Sequence, residues 1–427
     1  MEIAQLYQLF KSSIGVITDT RKIEPGQIYF ALKGANFNGN IFAEHAIQQG
    51  ALFSVIDEQQ YQKNQQYILV DDVLQTLQQL AKYHLQQIQP DVILAITGSN
   101  GKTTTKELVN AVLSSAYKTH YTKGNLNNHI GIPLTLLEMK EGTQMAIIEM
   151  GANHKREIES YCTIVQPTHG IITNCGKAHL EGFGSVEDIR KGKGELYDFL
   201  KENEGHVFVN GDDGILLSML KDRSLTKFSS YGSAAANNYN STIIKDHPFL
   251  EIQFEDVLIH SRLYGSYNYS NIMCAVAAGK FFGVSNQQIK NAIENYHPDN
   301  ARSQLIEKND YKLILDAYNA NPTSMQHALE SFAKDNLENK VVILGDMFEL
   351  GDSSAEEHQF IADLCCRLGF NTIALVGKDF GNTITPSNVL KFENTIEAQA
   401  WFSIQTWNNN EVLLKGSRSM GMEKVVA

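Results

Sequence analysis

Short apolar runs separated by polar turns recur along the whole chain, and their spacing divides it. In residues 1–80 the runs IYFAL, ALFSVI and YILV alternate with polar, Gln-rich stretches, which predicts a small α/β unit. From residue 91 to about 296 the pattern becomes strand then helix. VILAIT leads through a glycine turn into TTTKELVNAVLSSA, whose apolar positions have helical spacing, and AIIEM, HGIITN and HVFVN are further β-rich runs that end in polar or Gly-containing turns. Such alternation predicts a parallel sheet covered by helices. NYHPDNAR (295–302) sets Pro, Asp and Asn after a helical stretch and reads as a linker. Beyond it the alternation resumes in YKLILD, SMQHALESFA, KVVILG, EEHQFIADLCCRLG, TIALVG and EVLLKG, a second doubly wound unit without a G-x-G-x-x-G fingerprint. The expectation is an α/β protein of three domains, 1–84, 85–298 and 299–427: a small N-terminal domain, a central parallel-sheet domain and a C-terminal Rossmann-like domain.

Composition narrows the classes. With 43% hydrophobic and 20% charged residues, the 427-residue chain has material for packed cores. It contains no apolar run of about 18 residues, so no transmembrane helix is expected. The opening MEIAQLYQLFKSS lacks a charged stretch followed by a long apolar one, so no secretory signal is expected either. A net charge of −12 disfavours a nucleic-acid surface while allowing a local basic pocket for a small anion. The five cysteines (Cys162, Cys175, Cys274, Cys365 and Cys366) form no CxxC pair and no metal-ligand spacing, which fits reduced, buried thiols in a cytoplasm.

Candidate chemistry clusters after the strands. In an open parallel sheet, ligands gather at the carboxyl ends of the strands. The loop Gly98-Ser99-Asn100-Gly101-Lys102-Thr103-Thr104 follows VILAIT and opens a helix. It resembles a phosphate-binding loop shortened to two residues between its glycines. Its backbone N–H groups can cradle phosphate, Lys102 can reach the β- and γ-phosphates, and the Thr103 hydroxyl can ligate Mg²⁺. Glu149 ends AIIEM and His179 lies five residues beyond HGIITN, so a carboxylate and an imidazole could complete a metal shell. Lys177, Lys191 and Lys193 follow; taken singly each reads better as a solvated lysine on a loop or helix start, and periodicity does not pick out Lys193. Asn268 and Asn271 precede or open a small-residue helix, suited to an adenine edge or to helix capping. DAYNANP (316–322) and KGSRSMGMEKV (415–425) follow strands of the last unit, where Lys and Arg suit a carboxylate or phosphate.

The segments TDTRKIEPGQIYFALKG (18–34), TGSNGKTTTKE (97–107), GNLNNHIGIPLTLL (124–137), EMGANHKREI (149–158), AHLEGFGS (178–185), KGELY (193–197), YNANPTSM (318–325), GDMFELG (345–351) and KGSRSMGMEKV occur in the order found in Mur ligases. The chain is similar to that family over nearly its whole length. EMGANH, AHLEGFGS, YNANP and KGSRS resemble most closely the branch that adds D-alanyl-D-alanine. The resemblance implies ATP-dependent ligation of D-alanyl-D-alanine to UDP-N-acetylmuramoyl-tripeptide through an acyl phosphate, by a cytoplasmic monomer with no nucleic-acid or membrane partner. A folylpolyglutamate-type ligase shares the shortened loop and the reaction but is not expected to carry TDTRKIEPG or YNANPTSM. The Mur ligase that adds diaminopimelate or lysine is nearer but would carry a D-N-P-[RA] segment that the third domain lacks. A non-enzymatic nucleotide-binding homologue would be favoured by loss of Lys102, Glu149, His179 or Lys193, and all four are present.

The same resemblance implies roles residue by residue. Thr18, Asp19, Thr20, Arg21 and Lys33 of the first domain face the UDP part. Gly98 to Thr104 hold ATP, and Thr103, Glu149 and His179 hold Mg²⁺, two ions in all. Lys193 carries CO₂ as a carbamate that bridges the metals. Asn268 and Asn271 meet adenine, Arg302 approaches ATP from the linker, and Asp316, Tyr318 and Asn319 approach it from the last domain. Asn125, Asn127 and Asn128 contact substrate. Lys415, Ser417 and Arg418 lie near the amine and the acyl phosphate. Leu315-Asp316-Ala317 departs from the paired acids and Ser of many relatives, which leaves the nucleotide contact of Asp316 open.

Overall fold

The structure, a computed structural model, describes residues 1–298, 301–308, 310–334 and 339–427. Positions 299 and 300 of the expected linker, and with them the expected start of the third domain, lie outside the described residues.

The first sheet has four parallel strands, in the order Val16–Ile17, Ile28–Phe30, Phe53–Ile56 and Tyr67–Leu69. It is followed by helix Val73–Ile88, whose start is capped by Asp72 accepting from Gln75 N. Leu77, Leu80, Ala81 and Leu85 on one stripe of this helix are buried in a core that also contains Ile93, Ala95 and Ile148 of the central sheet. The helix therefore runs through residue 84 and ties the first domain to the second. We propose that the division falls after Ile88, where Gln89 leaves the helix in a left-handed conformation.

The central sheet has seven parallel strands in the order Tyr239–Asn240, Phe228–Gly232, His206–Asn210, His169–Ile172, Val92–Thr97, Met145–Glu149 and Thr119–Tyr121. Val92–Thr97 is buried at every position, which is why its sequence is a continuous apolar run rather than an alternation. The expected all-parallel pattern misses one element. Strands Thr242–Lys245, Phe249–Phe254 and Val257–Tyr264 form an antiparallel sheet whose inward Leu250, Ile252 and Phe254 share a core with Leu108, Val109 and Val112 of helix Lys102–Leu113.

The third sheet is ordered Gln304–Glu307, Tyr311–Asp316, Asn410–Lys415, Lys340–Gly345, Thr372–Val376 and Leu390–Phe392; its first pair is antiparallel and the rest are parallel. Separate apolar clusters cover its two faces, as a doubly wound domain requires. The protein is thus an α/β protein of three domains. Among the described residues no helix is long and apolar enough to cross a membrane.

Candidate active site

The carboxyl ends of the central strands open into a cavity of about 1290 Å³ shared with the third domain. Strand Val92–Thr97 delivers the phosphate loop, and helix Lys102–Leu113 starts at its far end, so the first-turn N–H groups, which lack intrahelical acceptors, face this region. The two glycines are needed sterically. Gly101 has φ +79°, and a Cβ there would lie 2.5 Å from Asn271 Oδ1; at Gly98 it would lie 2.0 Å from Thr173 Oγ1. The loop is braced from the next strand: Asn100 N donates to Asn174 Oδ1 (3.0 Å) and Ser99 Oγ to Gly176 O (2.8 Å). Lys102 Nζ donates to Gly98 O (2.7 Å) and Ser99 O (3.2 Å), curled over the loop it would serve. Burial pushes its pKa down, Glu149 opposes that, and Arg302 adds to it.

Glu149 is buried at the end of its strand. Its Oε1 accepts from Thr103 Oγ1 (3.2 Å) and Asn127 Nδ2 (2.8 Å). Its Oε2 makes no hydrogen bond and lies 3.8 Å from Lys106 Nζ. A buried carboxylate oxygen left over, beside a threonine hydroxyl and a phosphate loop, suits a hard divalent cation with oxygen ligands, so the residues fit Mg²⁺. Among the described residues no three His, Cys, Asp or Glu side chains converge in a group that could hold a metal ion. His179 lines the same cavity, but its Nδ1 is paired with Glu349 of the third domain.

Lys193 is fully buried on helix Val186–Glu202 and does not line the cavity. Its Nζ donates to Ala152 O (3.2 Å) and sits 5.3 Å from the Phe183 ring centroid. Burial, with the charge of Lys102 next, brings its pKa down to about 7.

The third domain supplies the opposite wall. Asn321 Nδ2 donates to Asn100 Oδ1 (2.7 Å), so this domain touches the phosphate loop itself. Arg302 lies 3.6 Å and Arg418 4.7 Å from the Tyr318 ring centroid, and Arg418 Nη1 donates to Tyr318 Oη (2.7 Å). Lys415 is buried against Asp316 Oδ2 (2.6 Å), and Ser417 Oγ accepts from Phe348 N (2.9 Å). Asn319, Asn125 and Asn128 also line the cavity, Asn128 Oδ1 accepting from Gly131 N (2.8 Å). Asn268 and Asn271 are buried in its wall and bonded to each other (2.8 Å). Asn268 makes no side-chain cap; its Nδ2 goes to Tyr264 O (2.9 Å).

The structure does not bring the first-domain candidates into this cavity. Asp19 and Arg21 form an exposed bidentate pair (2.9 and 2.8 Å), with Thr18 and Thr20 on either side of Asp19, and Lys33 pairs with Asp57 (3.1 Å). Three residues in or behind the cavity wall carried no separate signal in the sequence: Lys106, Asn321 and Glu349. Each lies inside a segment already singled out, but nothing in residue type or spacing says that a buried lysine sits behind Glu149, or that two side chains cross between domains.

A phosphate loop at a parallel sheet edge, faced across a cleft by a doubly wound third domain, defines a class of three-domain nucleotide-dependent α/β proteins. Three family profiles match in order: "Mur ligase family, catalytic domain" over residues 14–85, "Mur ligase middle domain" over 96–279 and "Mur ligase, glutamate ligase domain" over 301–418. The chain belongs to the Mur ligase family. It is 34% identical to the UDP-N-acetylmuramoyl-tripeptide–D-alanyl-D-alanine ligase of Bacillus subtilis (strain 168), over 96% of this chain and 92% of that protein. It is 33% identical to the ligase of the same name from Escherichia coli (strain K12), with the same coverage. A crystal structure of MurF from Acinetobacter baumannii is similar with a TM-score of 0.87 at 29% identity, covering 99% of this chain and 97% of that one.

Proposed function

We propose that this protein joins D-alanyl-D-alanine to UDP-N-acetylmuramoyl-tripeptide, with ATP converted to ADP and phosphate, giving the pentapeptide precursor of peptidoglycan. The observation that carries it is the contact between Asn321 and Asn100, which sets the third domain directly on the phosphate loop. A surface that delivers an amine must arrive there for an acyl phosphate to be captured before water reaches it.

The chemistry follows from the charges. A carboxylate is a poor electrophile, and phosphorylation turns one of its oxygens into a leaving group. The tripeptide carboxylate attacks the γ-phosphorus and the bond to the β,γ-bridging oxygen breaks, releasing ADP. The neutral amine of D-alanyl-D-alanine attacks the acyl carbon, loses its proton, and the C–O bond breaks to free phosphate. Carboxylate and phosphates repel, so Lys102 and Arg302 serve to hold them together. When bound, Mg²⁺ neutralises phosphate charge as a Lewis acid, held by Thr103, Glu149 and His179. Asn127 fixes the Glu149 oxygen shared with Thr103. Lys193 acts as its CO₂ adduct, a carboxylate on a long stem; with a pKa near 7 a substantial share of the amine is neutral, the form that takes up CO₂. Thr18 to Arg21 and Lys33 hold the UDP end, remote from the reaction. The net charge of −12 favours small-molecule partners over nucleic acid, and we assign a cytoplasmic monomer.

Phosphate release should require ATP, UDP-muramoyl-tripeptide and D-alanyl-D-alanine together. Equal turnover with free diaminopimelate or L-lysine on the dipeptide precursor would overturn the assignment.

A further inference from the structure

The loop after strand His169–Ile172 meets the loop after strand Lys340–Gly345 at one point between the central and third domains. Glu181 N donates to Glu349 O (3.1 Å), and the Glu349 carboxylate is paired with His179 Nδ1. Both residues of the pair have left-handed backbones, φ +53° at His179 and +64° at Glu349. Glu349 is a residue type that seldom adopts this conformation, so its backbone is held there by its surroundings. Two further clasps cross the same seam: Lys177 Nζ to Glu357 Oε1 (2.5 Å) and Lys177 N to Thr323 Oγ1 (3.1 Å).

We propose that Glu349 is a positioning residue that couples domain closure to the metal site. Resting on the assignment of His179 as a metal ligand, it takes Nδ1 when the third domain docks and leaves Nε2 as the nitrogen presented to the ion. A ligating imidazole gains orientation, tautomer and basicity from a carboxylate on its other nitrogen, and loss of such a partner weakens metal binding by about 10–100-fold. Here that partner arrives from a different domain. The open protein therefore holds the ion through Thr103 and Glu149, and the closed protein adds an oriented histidine.

The test is Mn²⁺ binding followed by electron paramagnetic resonance, with ADP present and no turnover. Glu349→Ala should weaken Mn²⁺ binding by about tenfold and lower kcat while leaving KM for the tripeptide substrate near the parent value. Glu349→Gln, which keeps an oxygen against Nδ1 but not the charge, should recover part of the loss. Glu357→Ala removes the acceptor of Lys177 Nζ and so breaks a clasp at the same seam without touching His179, and should leave Mn²⁺ affinity unchanged. Parent-like Mn²⁺ affinity in Glu349→Ala overturns the proposal when His179→Ala is weakened. An equal loss in Glu357→Ala also overturns it, since closure alone would then explain the effect. If His179→Ala itself binds Mn²⁺ normally, the assignment of His179 fails first. Circular dichroism melts check that each variant is folded.

Discussion

Gly101→Ala tests the phosphate loop where it turns into helix Lys102–Leu113. The residue sits at φ +79°, and the new Cβ would lie 2.5 Å from Asn271 Oδ1. A left-handed backbone costs a non-glycine residue about 1–2 kcal/mol. Asn271 Oδ1 accepts from Thr105 Oγ1 (3.1 Å), and displacing the amide strands buried polar groups at about 1–3 kcal/mol. The two terms give about 2–5 kcal/mol. If as little as 1.4 kcal/mol of that is relieved by deforming the loop away from its phosphate-binding shape, ATP affinity falls about tenfold. Gly142→Ala is the matched control: its φ is +81°, and its Cβ would meet nothing closer than Lys118 Nζ at 4.0 Å. It carries the backbone cost without the collision. Calorimetric ATP titration and circular dichroism melts of both variants separate the terms. Fluorescence does not serve, because both tryptophans, Trp401 and Trp407, belong to the third domain. Equal ATP affinity and equal melting in the two variants would refute the steric reasoning.

Lys102→Ala should keep its circular dichroism spectrum and lose turnover by about 10²–10³, the usual loss when one transition-state stabiliser is removed; near-normal phosphate release would remove Lys102 from the reaction. Lys193→Ala should be severely impaired and partly restored by millimolar acetate or formate, whereas Lys193→Arg should not be rescued because its guanidinium stays charged and fills the space. With bicarbonate labelled in carbon, the parent should show a carbamate signal that the Ala variant lacks, and the signal should grow as pH rises through about 7, where the amine loses its proton. The same depressed pKa makes stability rise with pH between about 7 and 10.5, since the unfolded chain binds a proton there that the folded one does not; Lys193→Met should flatten that slope.

Strands buried on both faces were the most legible part of the sequence. Val92–Thr97 and Lys340–Gly345 are continuous apolar runs because helices cover both sides of their sheets. The antiparallel strands at 242–264 were not legible as a unit. Phe249–Phe254 does alternate, but Thr242–Lys245 is exposed throughout and offers no apolar face to read. The phosphate loop announced itself through glycines whose backbone needs are local. Side chains that act across the seam did not: Asn321 caps its own helix by accepting from Ser324 N (2.9 Å), and that local role hides its contact with Asn100. Lys193 is the extreme case. Its burial and its depressed pKa come from packing against Phe183 and Ala152, so no periodicity distinguishes it from Lys191. Only the resemblance of KGELY singled it out.

The central claim is that the γ-phosphate passes to the substrate carboxylate before the amine attacks. Tripeptide substrate carrying ¹⁸O in the reacting carboxylate decides it. The C–O bond that breaks in the second step leaves a carboxylate oxygen on phosphorus, so mass spectrometry of the released phosphate should find one ¹⁸O per molecule, the other remaining in the new amide carbonyl. Unlabelled phosphate formed alongside the ligated product would contradict the account.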